Sequence, residues 1–178
     1  MFKNSLLSKF SCFSGCTKKK DDYSVMLSPF MYYNVKYADT VPFVPPVKQG
    51  VVIKVYDGDT ITIASRLPIM PIEKQPIYRF SVRLNGIDTP EIKGKDDDEK
   101  QCAQRAKEYV SNMVMGKLVT LEDVQLEKYG RLLATVVTET GENLNELMVN
   151  CRYAVKYDGG TKVSPVSWQK YYDTGELE

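Results

Sequence analysis

Three carboxylates near the middle of the chain are candidates for a cation site. Asp59 ends the turn Asp57-Gly58-Asp59, and Asp88 and Glu91 flank a Thr-Pro pair at the end of another strand-like stretch. Carboxylates brought together would repel one another unless a cation lay between them. Ca²⁺ takes about 6–8 oxygen ligands, and two Asp side chains, a backbone carbonyl, waters and an oxygen of a bound anion would complete such a shell.

Two arginines are candidates for binding a phosphate group. Arg83 and Arg131 lie on or beside predicted strands, and the planar guanidinium donates two hydrogen bonds in a geometry that suits phosphate. Taken alone, each of these patterns has an ordinary structural explanation, since Asp-Gly-Asp is typical of a hairpin turn and an arginine on a strand is usually solvated. Their joint occurrence in this order indicates a functional site.

The chain contains no histidine. This excludes mechanisms with an imidazole base or a phosphohistidine, and it excludes zinc sites that need histidine. Acid–base chemistry therefore falls to carboxylates, lysine or tyrosine. The four cysteines are too few for a disulfide framework, and we expect Cys102 and Cys151, in and at the end of predicted helices, to be small buried hydrophobes.

The hydrophobic pattern predicts the elements that must position these residues. Strands are predicted where apolar and polar residues alternate, and helices where apolar residues recur at helical spacing. The predicted strands are Val51–Tyr56, Thr60–Ile63, Arg79–Leu84, Lys117–Gln125 and Arg131–Thr138. One helix follows the caps Asp96, Asp97 and Asp98 and ends at Gly116, and a second, short helix contains Leu144, Leu147 and Met148.

This order predicts an α+β, mainly β fold. Three strands, a helix, two strands and a short C-terminal helix fit a small five-stranded barrel with the first helix between strands three and four. The pattern alone leaves a sandwich arrangement open.

Four ordered motifs resemble the thermonuclease (staphylococcal nuclease-like) family. They are Val55–Thr60, Arg83–Glu91, Lys128–Arg131 and Tyr157–Lys162, with Asn145-Glu146 and Ala154 also matching, and the resemblance covers about residues 48–162. It implies an OB-fold barrel and a calcium-dependent endonuclease that hydrolyses phosphodiester bonds of DNA and RNA.

The resemblance also implies a role for individual residues. Asp59 and Asp88 would ligate Ca²⁺ through carboxylates and Thr89 through its carbonyl, while Glu91 would act as general base on a water. Arg83 and Arg131 would stabilise the five-coordinate transition state. The residues that would contact a neighbouring phosphate are Lys128 and Tyr129.

The chain divides by composition into four segments. A basic, Ser/Cys-rich leader spans residues 1–20 and a Tyr/Pro-rich linker residues 21–47; the predicted nuclease domain spans 48–165, followed by a short C-terminal tail, 166–178. The whole chain has a formal net charge of +1, of which the leader contributes +5 and the remainder −4. A polyanion is therefore not attracted to the domain by bulk charge, and local arginines and a metal ion would have to attract it.

The leader allows three interpretations. It is a disordered basic arm, or a segment that binds an anionic membrane surface with acylation of Cys12 or Cys16, or a secretion signal. Because Lys9 interrupts a short apolar region, an intracellular or membrane-associated location is favoured over secretion. We expect a monomer.

One alternative function stays open on the sequence. Degenerate barrels of this kind bind nucleic acid or protein tails without catalysis, but they typically lose the acidic and arginine positions that this chain retains. A generic single-strand-binding OB domain would need a basic groove with exposed aromatic side chains, which the charge of −4 disfavours.

Overall fold

The computed structural model describes residues 35–68, 71 and 75–178. The chain divides into two units, Met1–Val41 and Pro42–Glu178. The described part of the first unit contains a single-turn 3-10 helix, Tyr37–Asp39. Cys12, Cys16 and the rest of the leader lie outside the described residues, so lipid attachment stays a prediction.

The second unit is built on a closed five-stranded barrel. Its strands are β1 (Gln49–Val55), β2 (Thr60–Ser65), β3 (Tyr78–Leu84), β5 (Leu118–Leu126) and β6 (Leu132–Val137). They follow the order β1-β2-β3-β6-β5, and β5 pairs with β1 to close the barrel. All neighbours are antiparallel except β3 and β6, which are parallel. The predicted barrel fold is confirmed.

Alternating side chains fill the barrel, as the period-two pattern predicts. On β6 every second residue from Leu132 is buried, and on β3 Val82 and Leu84 are fully buried. Val47, just before β1, is also buried in this core. The core therefore includes the last residue of the segment predicted as a linker, 21–47.

Helix α1 (Asp97–Val114) packs one face on this core. Ala106, Val110 and Val114 are fully buried, and the side chain of Asp96 caps the helix by accepting a hydrogen bond from the backbone N–H of Glu99 at 2.7 Å. Among the helices of the described ranges, none is both long and apolar enough for a membrane span.

A second, two-stranded sheet pairs β4 (Ile87–Asp88) with β7 (Val155–Lys156). Gly86, with a φ of +76°, allows the sharp turn that separates β3 from β4. Helix α2 (Leu144–Asn150) fixes this turn through the buried amide of Asn145. That amide donates to the carbonyl oxygens of Asn85 and Ala134 at 2.8 and 3.2 Å, and its oxygen accepts from the Val136 N–H at 3.0 Å.

The C-terminal segment forms a helix that the sequence pattern did not predict, α3 (Trp168–Thr174). Ser167 caps its start and Gly175, with a φ of +82°, its end. Trp168 and Tyr171 are buried in a small cluster with Cys102 and Val155, separate from the barrel core. The tryptophan therefore packs against α1 and β7 and not in the barrel core.

The two predictions for cysteines had different outcomes. Cys102 is buried, as predicted, but Cys151 is exposed. Cys151 follows the last residue of α2 as its C-cap, where the chain leaves the face that the helix buries. Its sulfur lies 3.5 Å from the Tyr109 hydroxyl.

Candidate active site

The fold brings Asp59, Arg83 and Asp88 together at one end of the barrel. Asp59 comes just before β2, and its neighbour Thr60 pairs with Arg83 on β3. The carbonyl of Asp59 also accepts a hydrogen bond from the Leu84 N–H at 2.8 Å. The turn after β3 then reverses the chain, so that Asp88 returns to the Arg83 side chain.

Close packing at Gly58 holds the Asp57–Asp59 turn against the segment that carries Asp88. A Cβ atom at Gly58 would lie 3.0 Å from Thr89 Cγ2 and 3.0 Å from Ala106 Cβ, on α1. The absence of a side chain therefore lets the turn approach both elements.

Arg83 bridges the two aspartates. Its Nη1 lies 2.8 Å from Asp59 Oδ2 and its Nη2 lies 3.3 Å from Asp88 Oδ1. Because one guanidinium contacts both carboxylates, the two acidic groups are separated by no more than that guanidinium. Both are almost completely buried, with 3% and 2% of their surface exposed.

Burial dominates the electrostatics of Asp59. It raises the pKa of this carboxyl from 3.8 to about 7, although the neighbouring Arg83 guanidinium and the hydrogen bond from Thr60 at 2.8 Å both lower it. The ionised form of Asp59 is therefore short of compensating positive charge, which an additional cation would supply.

The donor set of this end of the barrel fits an oxygen-seeking cation. Asp59 and Asp88 provide two carboxylates, and the buried Thr89 directly follows Asp88. Within residues 35–68, 71 and 75–178, no group of three or more His, Cys, Asp or Glu side chains could hold a metal ion. A bound ion would thus need backbone, water or ligand oxygens as well, which Ca²⁺ accepts and a structural zinc site would not.

Glu91 lies at the open side of the site. Its side chain is 62% exposed, and its Oε1 accepts a hydrogen bond from Lys162 Nζ at 2.9 Å. It does not cap α1, because Asp96 has that position. The carboxylate of Glu91 is therefore accessible to a ligand in the cleft, although one of its oxygens accepts a hydrogen bond from Lys162.

Arg131 is held by a partner that the sequence analysis missed. Its Nε and Nη2 donate to the two carboxylate oxygens of Glu127 at 2.6 and 2.9 Å. This bidentate pair lowers the pKa of Glu127 and raises that of Arg131. The structure thus does not bring Arg131 into contact with Asp59 or Asp88, and Arg131 would have to share or leave Glu127 to reach a phosphate.

A cleft of about 740 Å³ joins the remaining candidates. Arg83 and Glu91 line it together with Lys128 and Tyr129 from the β5–β6 connection. The Lys128 ammonium lies 5.0 Å from the centre of the Tyr129 ring, and Tyr129 is 73% exposed. Lys162 also lines this cleft. The sequence did not predict its contact with the site, since its only signal was its place in the motif Tyr157–Lys162.

A family model described as "Staphylococcal nuclease homologue" matches residues 81–172. This is more than half of the chain, and it includes Arg83, Asp88, Glu91 and Arg131. The chain belongs to the staphylococcal nuclease family. Asp59 lies before the matched region, so its place in the site rests on the geometry above.

Two of the relatives of this nuclease-family chain described below carry endonuclease names. It is 26% identical over 156 residues to "Endonuclease YhcR" of Bacillus subtilis (strain 168), covering 82% of this chain and 12% of that protein. It is 31% identical over 109 residues to an "Uncharacterized endonuclease" of Escherichia coli O157:H7, covering 61% of each. A third relative is "Protein ParB" of Escherichia coli, 32% identical over 88 residues, or 49% of this chain and 41% of that protein. The chain thus spans less than two thirds of the length of each of these relatives.

The pKa of Asp59 predicts an unusual pH dependence of stability in the absence of metal. Between about pH 4 and pH 7 the folded state retains a proton on Asp59 that the unfolded state has lost, so this group makes folding less favourable as the pH rises. We expect Asp59→Asn to remove this dependence. We expect the free energy of unfolding in EGTA, measured with urea, to rise for the variant relative to the parental protein as the pH increases from 4 to 8.

The matched control is Asp97→Asn, because Asp97 is exposed and forms only a surface ion pair with Lys100. Its stability curve should run parallel to the parental one. Parallel curves for Asp59→Asn and the parental protein would contradict the assignment.

Proposed function

We propose that this chain is a calcium-dependent endonuclease that hydrolyses phosphodiester bonds of DNA and RNA. The observation that carries the proposal is the bridge from Arg83 to the buried carboxylates of Asp59 and Asp88, with Glu91 in the same cleft. The endonuclease names of the relatives in Bacillus subtilis and Escherichia coli support it.

Asp59, Asp88 and the carbonyl of Thr89 would hold the Ca²⁺ ion. When bound, the ion would supply charge neutralisation for the phosphate and would favour ionisation of a water. The protein itself contributes the buried carboxylate pair, which the Arg83 guanidinium contacts in the metal-free protein.

Glu91 would take the proton from the attacking water. Its carboxylate faces the cleft, and the chain offers no imidazole for this step. As the water oxygen bonds to phosphorus, the bond from phosphorus to the leaving sugar oxygen would break, and that oxygen would take a proton from solvent water. Lys128 and Tyr129, on the exposed wall of the cleft, would contact the next phosphate.

Arg83 and Arg131 would stabilise the charge that develops on the phosphate. Arg83 already lies beside both aspartates. If these carboxylates bound a cation instead, the Arg83 guanidinium would be available to the substrate. Arg131 would turn one of its donors from Glu127 to a phosphate oxygen. Donors directed at charge that develops only during the reaction stabilise the transition state more than the ground state.

The direct test is a nuclease assay on plasmid DNA, single-stranded DNA and RNA. With Ca²⁺ the purified protein should cut all three, including closed circular plasmid, and EGTA should abolish cutting. Cleavage at full rate in EGTA with Mg²⁺ supplied would contradict the calcium assignment. Binding of nucleic acid without cleavage in any metal would instead support the alternative of a catalytically inactive binding domain.

Substitution of the arginines tests their assignment. Arg131→Ala should lower kcat/KM about 10²–10³-fold, because it removes one donor to the developing charge. Arg83→Ala is a poor test, because it would leave two buried carboxylates without their partner and destabilise the fold by about 3–5 kcal/mol. Arg83→Lys keeps the charge and loses the planar fork, and it should lower the rate by a similar factor to Arg131→Ala.

Arg79 provides the matched control for both arginines. It is exposed near the opposite end of β3, where it pairs with Ala64. We expect Arg79→Ala to cleave at nearly the parental rate. Equal losses for Arg79→Ala and Arg131→Ala would show that the effect is general surface charge and not contact with the phosphate.

A further inference from the structure

Lys162 contacts two acidic residues of the candidate site at once. Its ammonium nitrogen lies 3.0 Å from Asp88 Oδ1 and 2.9 Å from Glu91 Oε1. Asp88 Oδ1 therefore forms ion pairs with both Lys162 and Arg83. The lysine lies between a proposed cation ligand and the proposed general base.

Contacts of the preceding residues place the loop that carries Lys162 beside the site. The pairing of β7 with β4 aligns Val155 with Asp88, and the N–H of Tyr157 donates to the Gly86 carbonyl at 2.9 Å. Beyond this point the chain turns back on itself, because the Tyr157 hydroxyl donates to the Gly160 carbonyl at 3.1 Å. The lysine therefore reaches the site from a loop with defined geometry.

The charges of the site explain why a lysine belongs there. Asp59, Asp88 and Glu91 contribute −3, and Arg83 and Lys162 contribute +2, while Arg131 and Glu127 neutralise each other. With all three carboxylates ionised, these five groups sum to −1 alone, to +1 with a divalent cation, and to zero when a phosphodiester is also bound. Without Lys162 the remaining four groups would sum to −1 in the fully loaded state, which is less favourable for binding a polyanion.

We propose that Lys162 is a positioning residue of the active site that competes with the metal ion and favours the substrate. In the metal-free protein its ammonium group compensates Asp88 and Glu91. When the cation binds, Lys162 gives up Asp88, keeps the Glu91 carboxylate directed into the cleft, and adds the positive charge that attracts the phosphodiester. This inference rests on the proposed function of the site.

The proposal predicts two effects of opposite sign for Lys162→Gln. Ca²⁺ binding, measured by isothermal titration calorimetry without nucleic acid, should tighten about 3- to 30-fold, because a competing positive charge beside Asp88 is removed. In steady-state cleavage of single-stranded DNA at saturating Ca²⁺, kcat/KM should fall about 10- to 100-fold, with a higher KM. Lys162→Arg should remain close to the parental protein in both measurements.

Lys156→Gln is the matched control, since Lys156 is an exposed lysine of the adjoining strand β7. It removes the same charge from the same region and should change neither measurement by more than about twofold. A purely structural role for Lys162 predicts weaker Ca²⁺ binding and weaker cleavage together, and that result would overturn the proposal, as would Ca²⁺ binding unchanged in Lys162→Gln. If the parental protein binds Ca²⁺ and cuts DNA, such results reject only the role of Lys162; a parental protein that does neither rejects the proposed function as well.

Discussion

Arg83 carries the positive charge that allows two carboxylates, Asp59 and Asp88, to lie side by side in the interior of the protein. Burying an ionised carboxylate is costly, and even a well-formed ion pair offsets this cost only in part. The raised pKa of Asp59 shows that Arg83 does not compensate it fully. The fold thus retains an acidic pair at an electrostatic cost, and perturbed groups of this kind are typical of functional sites.

Several separate elements depend on this arrangement. The Gly86 turn returns Asp88 to Arg83, Gly58 lets the Asp59 turn pack on Thr89, and Asn145 ties α2 to the strand ends beside them. Each of these features is local, and together they fix the backbone of the segments that carry Asp59 and Asp88.

The sequence predicted the barrel because alternation of apolar residues is a local signal. The five strands appear within one or two residues of their predicted ends, and the caps of α1 follow from Asp96. Helix α3 was not predicted, because seven residues with only two buried aromatic side chains do not show a clear helical spacing of apolar residues. Cys151 was misplaced because the pattern marks the end of a helix without showing which way the next side chain points.

The candidate residues of the site were also predicted from local motifs, but the contacts between them could not be predicted in this way. Lys162 meets Glu91 across 71 positions of sequence, and this contact exists only because β7 pairs with β4. Strands of two residues carry almost no periodicity, so that pairing could not be predicted. The bond between Arg131 and Glu127 depends likewise on the conformation of a loop, which residue types alone do not determine.

Anomalous X-ray scattering from crystals grown with Ca²⁺ tests most directly the proposal that Asp59 and Asp88 together hold a cation. We expect a calcium peak between the carboxylates of Asp59 and Asp88, beside the Thr89 carbonyl, with the Arg83 guanidinium displaced from at least one carboxylate. A calcium peak elsewhere, or an unchanged bridge from Arg83 to both aspartates at saturating Ca²⁺, would contradict it.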